Sequence, residues 1–516
     1  MAAPEPTDDA CLQREVIRFL ASPAAHGGET PEHKETHLSH VFLTRERVLK
    51  LKKAQDWSVV DYSTLAQRER FCREELTINA RFAPEIYRDV RAITREGAGF
   101  ALDGPGEVVD YVVEMARFDD AGELDILVDD GTITGELIDM TADVVADMHR
   151  TAPIVRRPHQ SRIVAGLTRQ LSRDVAAAVT EAEEKADVAL WTHKASERLM
   201  RDAARVDRRG RHGFVRRCHG DLHLSNICLW KGRPTPFDAI EFSEEIAVID
   251  VLYDLAFVLV DLEHRGRGDL ATRLLSRYLA ATRDYSGLAA LPLYKSQRHM
   301  VRALTGATKG RPVADHIAAA RAIAERAVAP HLYAIGGLSG SGKTTIARAV
   351  APELGAVVIR ADTVRKHIWG VAPEVHLGAA AYDAVTTERV YRRLRVDAAR
   401  ALRAGSSVVL DATFADPADR AAVRRLANHL GVPFAGIWLK APRAILAERV
   451  AGRSGDASDA DVAVVEAQSH RDLGAIDWID VAANAEPDEV AMAALGYLAP
   501  VARTAQRPPP RRGAPR

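Results

Sequence analysis

The sequence predicts two fold classes in one chain: an α+β N-terminal part, and an α/β C-terminal part whose parallel β-sheet is flanked by helices. In the first part the β-prone runs precede residue 130, and residues 135–208 are helix-forming throughout. Two of these runs, at 35–43 and 48–53, flank a polar turn and predict a hairpin. In the second part short apolar runs alternate with helical patterns from residue 331 onward, among them 380–403 and 417–430, which is typical of a parallel sheet covered on both faces. A glycine-rich turn at residues 337–344 joins the first of these runs to a helical pattern.

Length, charge and cysteine usage limit the class of protein. The chain has 516 residues, too many for one ordinary core, and a formal net charge of −1, so nothing points to nucleic acid as the main partner. Four cysteines without a C-x-x-C pair indicate a reducing compartment rather than a disulfide framework. The N-terminus has no signal-peptide core, and no apolar stretch has the length of a membrane span. We therefore expect a cytoplasmic protein without a membrane partner.

Changes in composition divide the chain into four segments. They are a loose lead-in with one short helix, a first domain, a second domain and a basic, proline-rich tail, at residues 1–25, 26–329, 330–500 and 501–516. Pro330 marks the junction between the helical patterns of the first domain and the first strand of the second. The tail carries five arginines, four prolines and no acid, so we expect it to be disordered.

Residues 337–344, Gly-Leu-Ser-Gly-Ser-Gly-Lys-Thr, match the pattern G-x-x-x-x-G-K-[ST]. An apolar run at 332–335 precedes them and a helical pattern at 345–351 follows, and this context separates a working phosphate loop from a chance match. The backbone N–H groups of such a loop surround phosphate oxygens, Lys343 adds a charge, and the Thr344 hydroxyl can hold Mg²⁺. The residues predicted to bind nucleotide are Gly337, Leu338, Ser339, Gly340, Ser341, Gly342, Lys343, Thr344 and Thr345.

Carboxylates follow two later strands of the second domain. Asp362 comes after the β-prone run 357–359, at the edge of the sheet where open parallel sheets bind ligands. Asp411 directly follows the run 407–410 and is placed to orient Mg²⁺. Arg365, one helical turn after Asp362, could bind an acceptor phosphate or stabilise developing charge.

The segment at 443–453 resembles a lid helix over the phosphates. Arg449 and Arg453 fall on one face at i and i+4 and could close over the nucleotide, although a solvated helix face explains them equally well. The segment around Asp362 resembles P-loop kinases of small molecules and polynucleotides. That resemblance implies that Asp362 is the base for the acceptor hydroxyl.

The first domain contains His219-Gly-Asp221-x-x-x-x-Asn226, the spacing of the protein-kinase catalytic loop. In that chemistry Asp221 accepts the proton of the attacking hydroxyl and Asn226 reaches Mg²⁺. A second metal-binding carboxylate should follow on a strand. Both Asp238 and Glu241 meet this requirement, and the sequence does not separate them.

With these motifs, residues 35–310 resemble the aminoglycoside phosphotransferase branch of the protein-kinase-like fold. The domain order resembles the bacterial bifunctional aminoglycoside phosphotransferase/ATP-binding proteins. The resemblance implies that Lys50 or Lys52 binds the α- and β-phosphates, and that Glu74 or Glu75 pairs with that lysine. The segments Glu-Thr-His, Leu-Lys-Lys and Glu-Glu-Leu that support it lie at 35–37, 51–53 and 74–76.

These features predict an ATP-dependent phosphotransferase with two nucleotide sites and with ATP and Mg²⁺ as cofactors. The acceptor is expected to be a hydroxyl of a small polar molecule of the sugar or aminoglycoside kind. Two alternatives stay open. In the first, the P-loop half phosphorylates a 5′-hydroxyl of nucleic acid, which is a possible but less favoured partner. In the second, one half only senses nucleotide and regulates the other. The sequence identifies neither acceptor nor oligomeric state.

Overall fold

The computed structural model describes residues 8–57, 60–326, 328–452, 458–459 and 461–504. The chain forms two compact units. Unit 1 comprises Met1–Pro158 and Gly210–Asp261, and unit 2 comprises His159–Arg209 and Leu262–Arg516. The helices of residues 262–326 therefore share a unit with the phosphate loop.

The strands of the described residues form two main sheets and two small antiparallel pairs, β10–β7 and β8–β9. The strands are β1 (Glu32–Glu35), β2 (Ser39–Leu43), β3 (Arg47–Lys52), β4 (Tyr87–Glu96), β5 (Gly99–Leu102), β6 (Glu107–Ala116), β7 (Val215–Arg217), β8 (Ile227–Trp230), β9 (Arg233–Pro236), β10 (Val248–Asp250), β11 (Leu332–Gly337), β12 (Ala356–Arg360), β13 (Ser407–Asp411), β14 (Phe434–Lys440) and β15 (Ile479–Ala482).

The helices of the same residues are α1 (Asp8–Leu20), α2 (Leu65–Asn79), α3 (Leu124–Asp129), α4 (Gly135–Thr151), α5 (Gln160–Ala178), α6 (Ala182–Arg211), α7 (Glu244–Ala247), α8 (Val251–His264), α9 (Gly268–Thr282), α10 (Leu291–Thr308), α11 (Ala314–Glu325), α12 (Lys343–Glu353), α13 (Ala361–Ile368), α14 (Ala384–Arg403), α15 (Pro417–Leu430), α16 (Arg443–Ala451), α17 (Val462–Ser469) and α18 (Pro487–Thr504). Among the described helices, none is long and apolar enough to cross a membrane.

Unit 1 contains an antiparallel sheet of order β1-β2-β3-β6-β4-β5. The predicted hairpin is confirmed: β2 and β3 pair with Leu43 opposite Val48, and the amide of Thr44 donates to the carbonyl of Arg47 to close the turn. Helix α2 packs against this sheet and begins after Thr64, whose hydroxyl caps it by accepting from the amide of Gln67.

Helix α1 is packed into unit 1, whereas the sequence predicts a loose lead-in at residues 1–25. Val16 and Leu20 of α1 are fully buried in one apolar cluster with Phe42 of β2. The Gln13 side-chain amide donates to the Lys52 carbonyl, 2.9 Å away. Because apolar side chains recur along one face of α1, that face is buried against the sheet, and the segment is part of the core of unit 1.

Unit 2 contains a wholly parallel sheet of order β12-β13-β11-β14-β15. The predicted α+β and α/β fold classes are therefore confirmed. The helix predicted at 380–403 begins later, at Ala384, because Ala379–Tyr382 form a 3-10 turn and Asp383 caps the helix by accepting from the amide of Thr386. Helix α18 extends to Thr504, four residues into the predicted tail, and residues 505–516 lie outside the described part of the chain.

Helix α9 covers the outer edge of the parallel sheet. Ser276 of this helix accepts, through its Oγ, a hydrogen bond from the amide of Val358 on edge strand β12, at 3.0 Å. Arg277 pairs with Glu374 at 2.9 Å. An exposed sheet edge leaves unpaired amide groups, so α9 protects β12 as part of the same unit.

Candidate functional site

A buried charge cluster joins β3 to α2 in unit 1. Alternate side chains of β3 point to the same face, which brings Lys50 and Lys52 together over Glu75. The Nζ atoms of Lys50 and Lys52 lie 2.8 and 2.6 Å from the two carboxylate oxygens of Glu75, which is fully buried. Glu74 pairs instead with Arg70 on the exposed face of α2. The structure thus brings both candidate lysines to Glu75 rather than to Glu74.

Both candidate metal carboxylates belong to the same cluster. Lys50 Nζ lies 2.5 Å from Asp238 Oδ1, and Lys52 Nζ lies 2.5 Å from Glu241 Oε1. The Asp238 side chain is 46% exposed and that of Glu241 is 6% exposed, so Asp238 faces solvent at the rim. Asp238 also has a φ of +61°, a left-handed conformation that is uncommon outside glycine and is often found at functional sites.

Charge pairing fixes the ionisation of this cluster. Burial acts to raise the pKa of Glu75, but the ammonium groups of Lys50 and Lys52 outweigh it and lower that pKa to about 2. Burial raises the pKa of Glu241 even though Lys52 opposes the rise. Glu75 is therefore ionised near neutral pH and holds both lysines in place.

The predicted catalytic-loop residues lie together in unit 1. Asn226 Nδ2 donates to the Asp221 carbonyl at 2.9 Å and lies 3.4 Å from Asp221 Oδ2. His219, two residues before Asp221, shares a hydrogen bond of 2.9 Å between its Nε2 and the carbonyl of Phe237, next to Asp238. Amide and carboxylate oxygens are the ligands that Mg²⁺ prefers, so Asn226 and Asp238 fit a magnesium site.

His223 is a neighbour of Asp221 to which the sequence assigns no role. Its Nε2 lies 3.4 Å from Asp221 Oδ2, and its buried Nδ1 has no hydrogen-bond partner among the described residues. The sequence shows that His223 lies two residues after the aspartate, but this position does not distinguish a structural role from a functional one.

Asp254 anchors the loop that carries Asp221. Its carboxylate accepts from the amides of His219 and Gly220 at 3.1 and 3.0 Å, and His149 Nε2 lies 3.2 Å away. His149, Cys218 and Asp254 lie close enough to share a metal ion. Because backbone donors and His149 already engage both Asp254 oxygens, we interpret the group as structural support for the loop.

In unit 2 the phosphate loop requires glycine at specific positions. Gly340 has a φ of +82°, and a Cβ there would lie 2.4 Å from the carbonyl oxygen of Leu446 in α16. A Cβ at Gly337 would lie 2.6 Å from Ser341 Oγ. That buried hydroxyl has no hydrogen-bond partner among the described residues. A tight loop with a free hydroxyl at the start of a helix fits phosphate oxygens.

The ends of three neighbouring strands bring the predicted metal residues together. The Thr344 hydroxyl donates to Asp411 Oδ2 at 2.7 Å, and these oxygens fit Mg²⁺. Arg360, at the end of β12, donates from Nε to Asp411 Oδ2 at 3.3 Å and from Nη2 to Thr344 Oγ1 at 3.2 Å. Sequence reasoning assigned no role to Arg360, although it ends a strand two residues before Asp362.

Asp362 lies in the first turn of α13, close to the same group. Burial raises its pKa; Arg360 and Lys343 oppose the rise, and Asp411 adds to it. The Asp362 carboxyl therefore interacts electrostatically with the loop lysine and with Asp411. The Lys343 ammonium also donates to the Leu338 carbonyl at 2.8 Å, and Thr345 is exposed in the first turn of α12.

Two of the three predicted arginines, Arg365 and Arg449, donate to backbone carbonyls. Arg365 is 5% exposed, donates to the carbonyl of Ala381 at 2.5 Å and stacks on the Tyr382 ring at 4.4 Å. Arg449 donates from Nη1 to the carbonyl of Ala483 at 2.8 Å. Arg453 lies outside the described residues.

Gln468 is a further residue that sequence reasoning missed. Its Oε1 accepts from the phosphate-loop amide of Ser339 at 2.9 Å. Gln468 lies 129 positions after Ser339 along the chain, and no sequence motif connects the two.

Two family models match the chain, and each match contains one of the two candidate sites. Residues 46–291 match the model of the phosphotransferase enzyme family, and residues 332–471 match that of an AAA domain. Uncharacterized proteins of Mycobacterium tuberculosis and Mycobacterium bovis are each 30% identical over 460 residues, which is 86% of this chain and 90% of theirs.

Solved structures of kinases are similar to parts of the chain. A gluconokinase from Sinorhizobium meliloti is 22% identical and covers 34% of this chain and 97% of its own, with a TM-score of 0.26. A choline kinase from Cryptosporidium parvum is 10% identical and covers 61% of this chain and 94% of its own, with a TM-score of 0.40. The two family matches confirm the predicted combination of a kinase-like phosphotransferase domain and a P-loop kinase domain.

Proposed function

The chain belongs to the family of bifunctional proteins in which a kinase-like phosphotransferase domain precedes a P-loop kinase domain, and on this premise we propose that each half transfers the γ-phosphate of ATP to a hydroxyl. The cofactors are ATP and Mg²⁺. The acceptors we propose are small polar molecules of the sugar or aminoglycoside kind.

The observation that carries the proposal is that each unit holds an aspartate that interacts with residues predicted to bind phosphate or metal. In unit 1 Asn226 Nδ2 lies 3.4 Å from Asp221 Oδ2, and in unit 2 the charges of Lys343 and Asp411 act on the Asp362 carboxyl. In each half the aspartate takes the proton of the acceptor hydroxyl while the oxygen forms a bond to the γ-phosphorus. The bond from that phosphorus to the β–γ bridging oxygen breaks, and ADP leaves.

For unit 1 we propose that Lys50 contacts the phosphates and that Lys52 supports it from beneath. The Lys50 side chain is 15% exposed and that of Lys52 is 2% exposed, so only Lys50 lies near solvent where a ligand can enter. Asp238 is likewise more exposed than Glu241, which supports Asp238 as the metal ligand. Bound Mg²⁺ supplies charge neutralisation on the phosphates.

For unit 2 we propose that Lys343 contacts the phosphates, and that Thr344 and Asp411 hold the metal. Asp362 is the base, and its raised pKa moves it toward the operating pH, where general bases are most effective. Arg365 stabilises charge on the acceptor side, and Arg449 does so on the nucleotide side.

The test uses the full chain with ATP labelled in its γ-phosphate and a panel of hydroxyl acceptors. Asp221→Asn and Asp362→Asn should each slow transfer to a different acceptor. The expected loss of rate is about 10²- to 10⁴-fold, the range for loss of a general base. Nucleotide binding should persist in both variants, since neither removes a phosphate-binding lysine. The labelled product should withstand hydroxylamine, as an ester of a hydroxyl does and an acyl phosphate does not.

Other outcomes contradict specific parts of the proposal. If one variant removes all transfer while the other only shifts affinity or rate, one half is a nucleotide sensor. If the P-loop half labels only oligonucleotide 5′-ends, its acceptor is nucleic acid. If neither variant affects transfer, the assigned aspartates are wrong.

A further inference from the structure

Three histidines from three helices meet in unit 2, away from the phosphate loop. They are His264 at the end of α8, His299 in α10 and His316 in α11. The Nδ1 atoms of His299 and His316 lie 3.1 Å apart. The ring centroid of His264 lies 4.0 Å from that of His316 and 6.5 Å from that of His299. Their spacing along the sequence matches no metal motif, so only the fold brings them together.

The two facing nitrogens have the spacing of paired metal ligands. One Nδ1 must carry a proton to bond the other, because a neutral imidazole has one donor and one acceptor nitrogen. When that proton moves to the Nε2 of the same ring, both Nδ1 atoms carry a lone pair and can share one metal ion. Zn–N bonds of about 2.0–2.1 Å in a tetrahedral site separate neighbouring nitrogens by roughly 3.3 Å. The observed 3.1 Å is within a few tenths of an ångström of that value.

The pair is shielded from solvent at His299. That side chain is 3% exposed, so bulk water competes little for its nitrogen. The Lys295 ammonium is paired with Glu263 at 2.5 Å, which offsets the positive charge that would otherwise oppose a cation.

We propose that His264, His299 and His316 form a binding site for a divalent transition metal of the zinc type. Imidazole suits zinc, nickel and copper better than magnesium, so this site is chemically distinct from the nucleotide sites. The exposed His264 ring turns out of its stack on His316 to supply the third nitrogen, and exposed side chains change rotamer readily. Three histidines leave a fourth position for water.

The experiment titrates the full chain with Co²⁺ in excess Mg²⁺, and follows the visible absorption of cobalt bound to nitrogen. Wild type should bind one equivalent, which Zn²⁺ displaces. His264→Ala, a change at an exposed position that leaves folding intact, should weaken cobalt binding at least about tenfold. Loss of even an outer-shell partner of a metal lowers metal affinity by about 10- to 100-fold. His316→Gln should weaken it similarly or abolish it.

His40→Gln is the matched control, because His33 Nε2 and His40 Nδ1 also lie 3.1 Å apart, in unit 1. This variant should bind cobalt as wild type does. The proposal is overturned if wild type shows no cobalt band, if His264→Ala binds with unchanged affinity, or if His40→Gln is the variant that loses the metal.

Discussion

Glu74 and Glu75 are adjacent in α2 and have opposite environments. Glu75 is fully buried between Lys50 and Lys52, whereas Glu74 makes a surface pair with Arg70 four residues earlier. Removing one partner of a buried ionic group leaves uncompensated charge in a medium of low polarity, whereas a surface pair contributes little. Two neighbouring glutamates therefore allow the same substitution to be compared in the two environments.

We expect Glu75→Gln to lower the free energy of unfolding by about 3–5 kcal/mol, because two buried ammonium groups lose their shared carboxylate. Glu74→Gln should change it by at most about 0.5 kcal/mol. Urea unfolding of both variants, followed by circular dichroism, measures the difference. Equal effects of the two substitutions would contradict the buried cluster.

The stabilisation of the fold by Glu75 depends on pH in a defined direction. The pKa of Glu75 in the folded chain, about 2, is below the unfolded value of about 4.3. A depressed carboxyl pKa stabilises the fold above the unfolded value, and this stability is lost as pH falls toward the folded value. The stability difference between wild type and Glu75→Gln should therefore shrink between about pH 5 and pH 2.

At the scale of elements, the phosphate loop and α16 are packed too closely to admit a side chain at Gly340. We expect Gly340→Ala to weaken nucleotide binding by unit 2, because the new Cβ meets the Leu446 carbonyl at 2.4 Å and the positive φ costs about 1–3 kcal/mol. The control is Gly452→Ala at the end of α16, where a Cβ would make an ordinary 3.6 Å contact. Calorimetry with a non-hydrolysable ATP analogue compares them, and equal affinities would contradict the close packing.

Elements with local start and stop signals could be predicted from the sequence. The helix predicted at 417–430 is observed as Pro417–Leu430, because Asp416 caps its start and Gly431 adopts the left-handed conformation at its end. The burial of α1 could not be predicted in this way, since it depends on contacts with strands that come later in the sequence.

The residues of the candidate site also divide into those that the sequence identifies and those that only the fold reveals. Lys343, Thr344 and Asp221 lie in motifs whose spacing reflects local chemistry, so the sequence identifies them. Arg360 and Gln468 contact the phosphate-loop region from separate elements, and such contacts arise only from tertiary packing. The choice of Glu75 over Glu74 likewise depends on which face of α2 the fold buries.

At the scale of the whole molecule, the helices of residues 262–326 and the P-loop sheet form one compact unit. Helix α9 contacts both α12, which carries Lys343 and Thr344, and edge strand β12. Farther along, Arg283 pairs with the fully buried Asp397 of α14. The nucleotide loop is therefore structurally continuous with helices that precede residue 330.

We expect nucleotide bound at the P-loop to slow amide hydrogen exchange in α9 as well as in α12. A ligand at 100 times its Kd stabilises the unit it binds by about 2.7 kcal/mol, so exchange that requires opening of unit 2 should slow by up to about 100-fold. Mass spectrometry of the full chain, with and without a non-hydrolysable ATP analogue and Mg²⁺, measures this. Lys343→Ala should remove the effect in both helices, because it removes the loop's phosphate-binding charge. Protection of α12 with unchanged exchange in α9 would show that α9 opens independently of the sheet whose edge it covers.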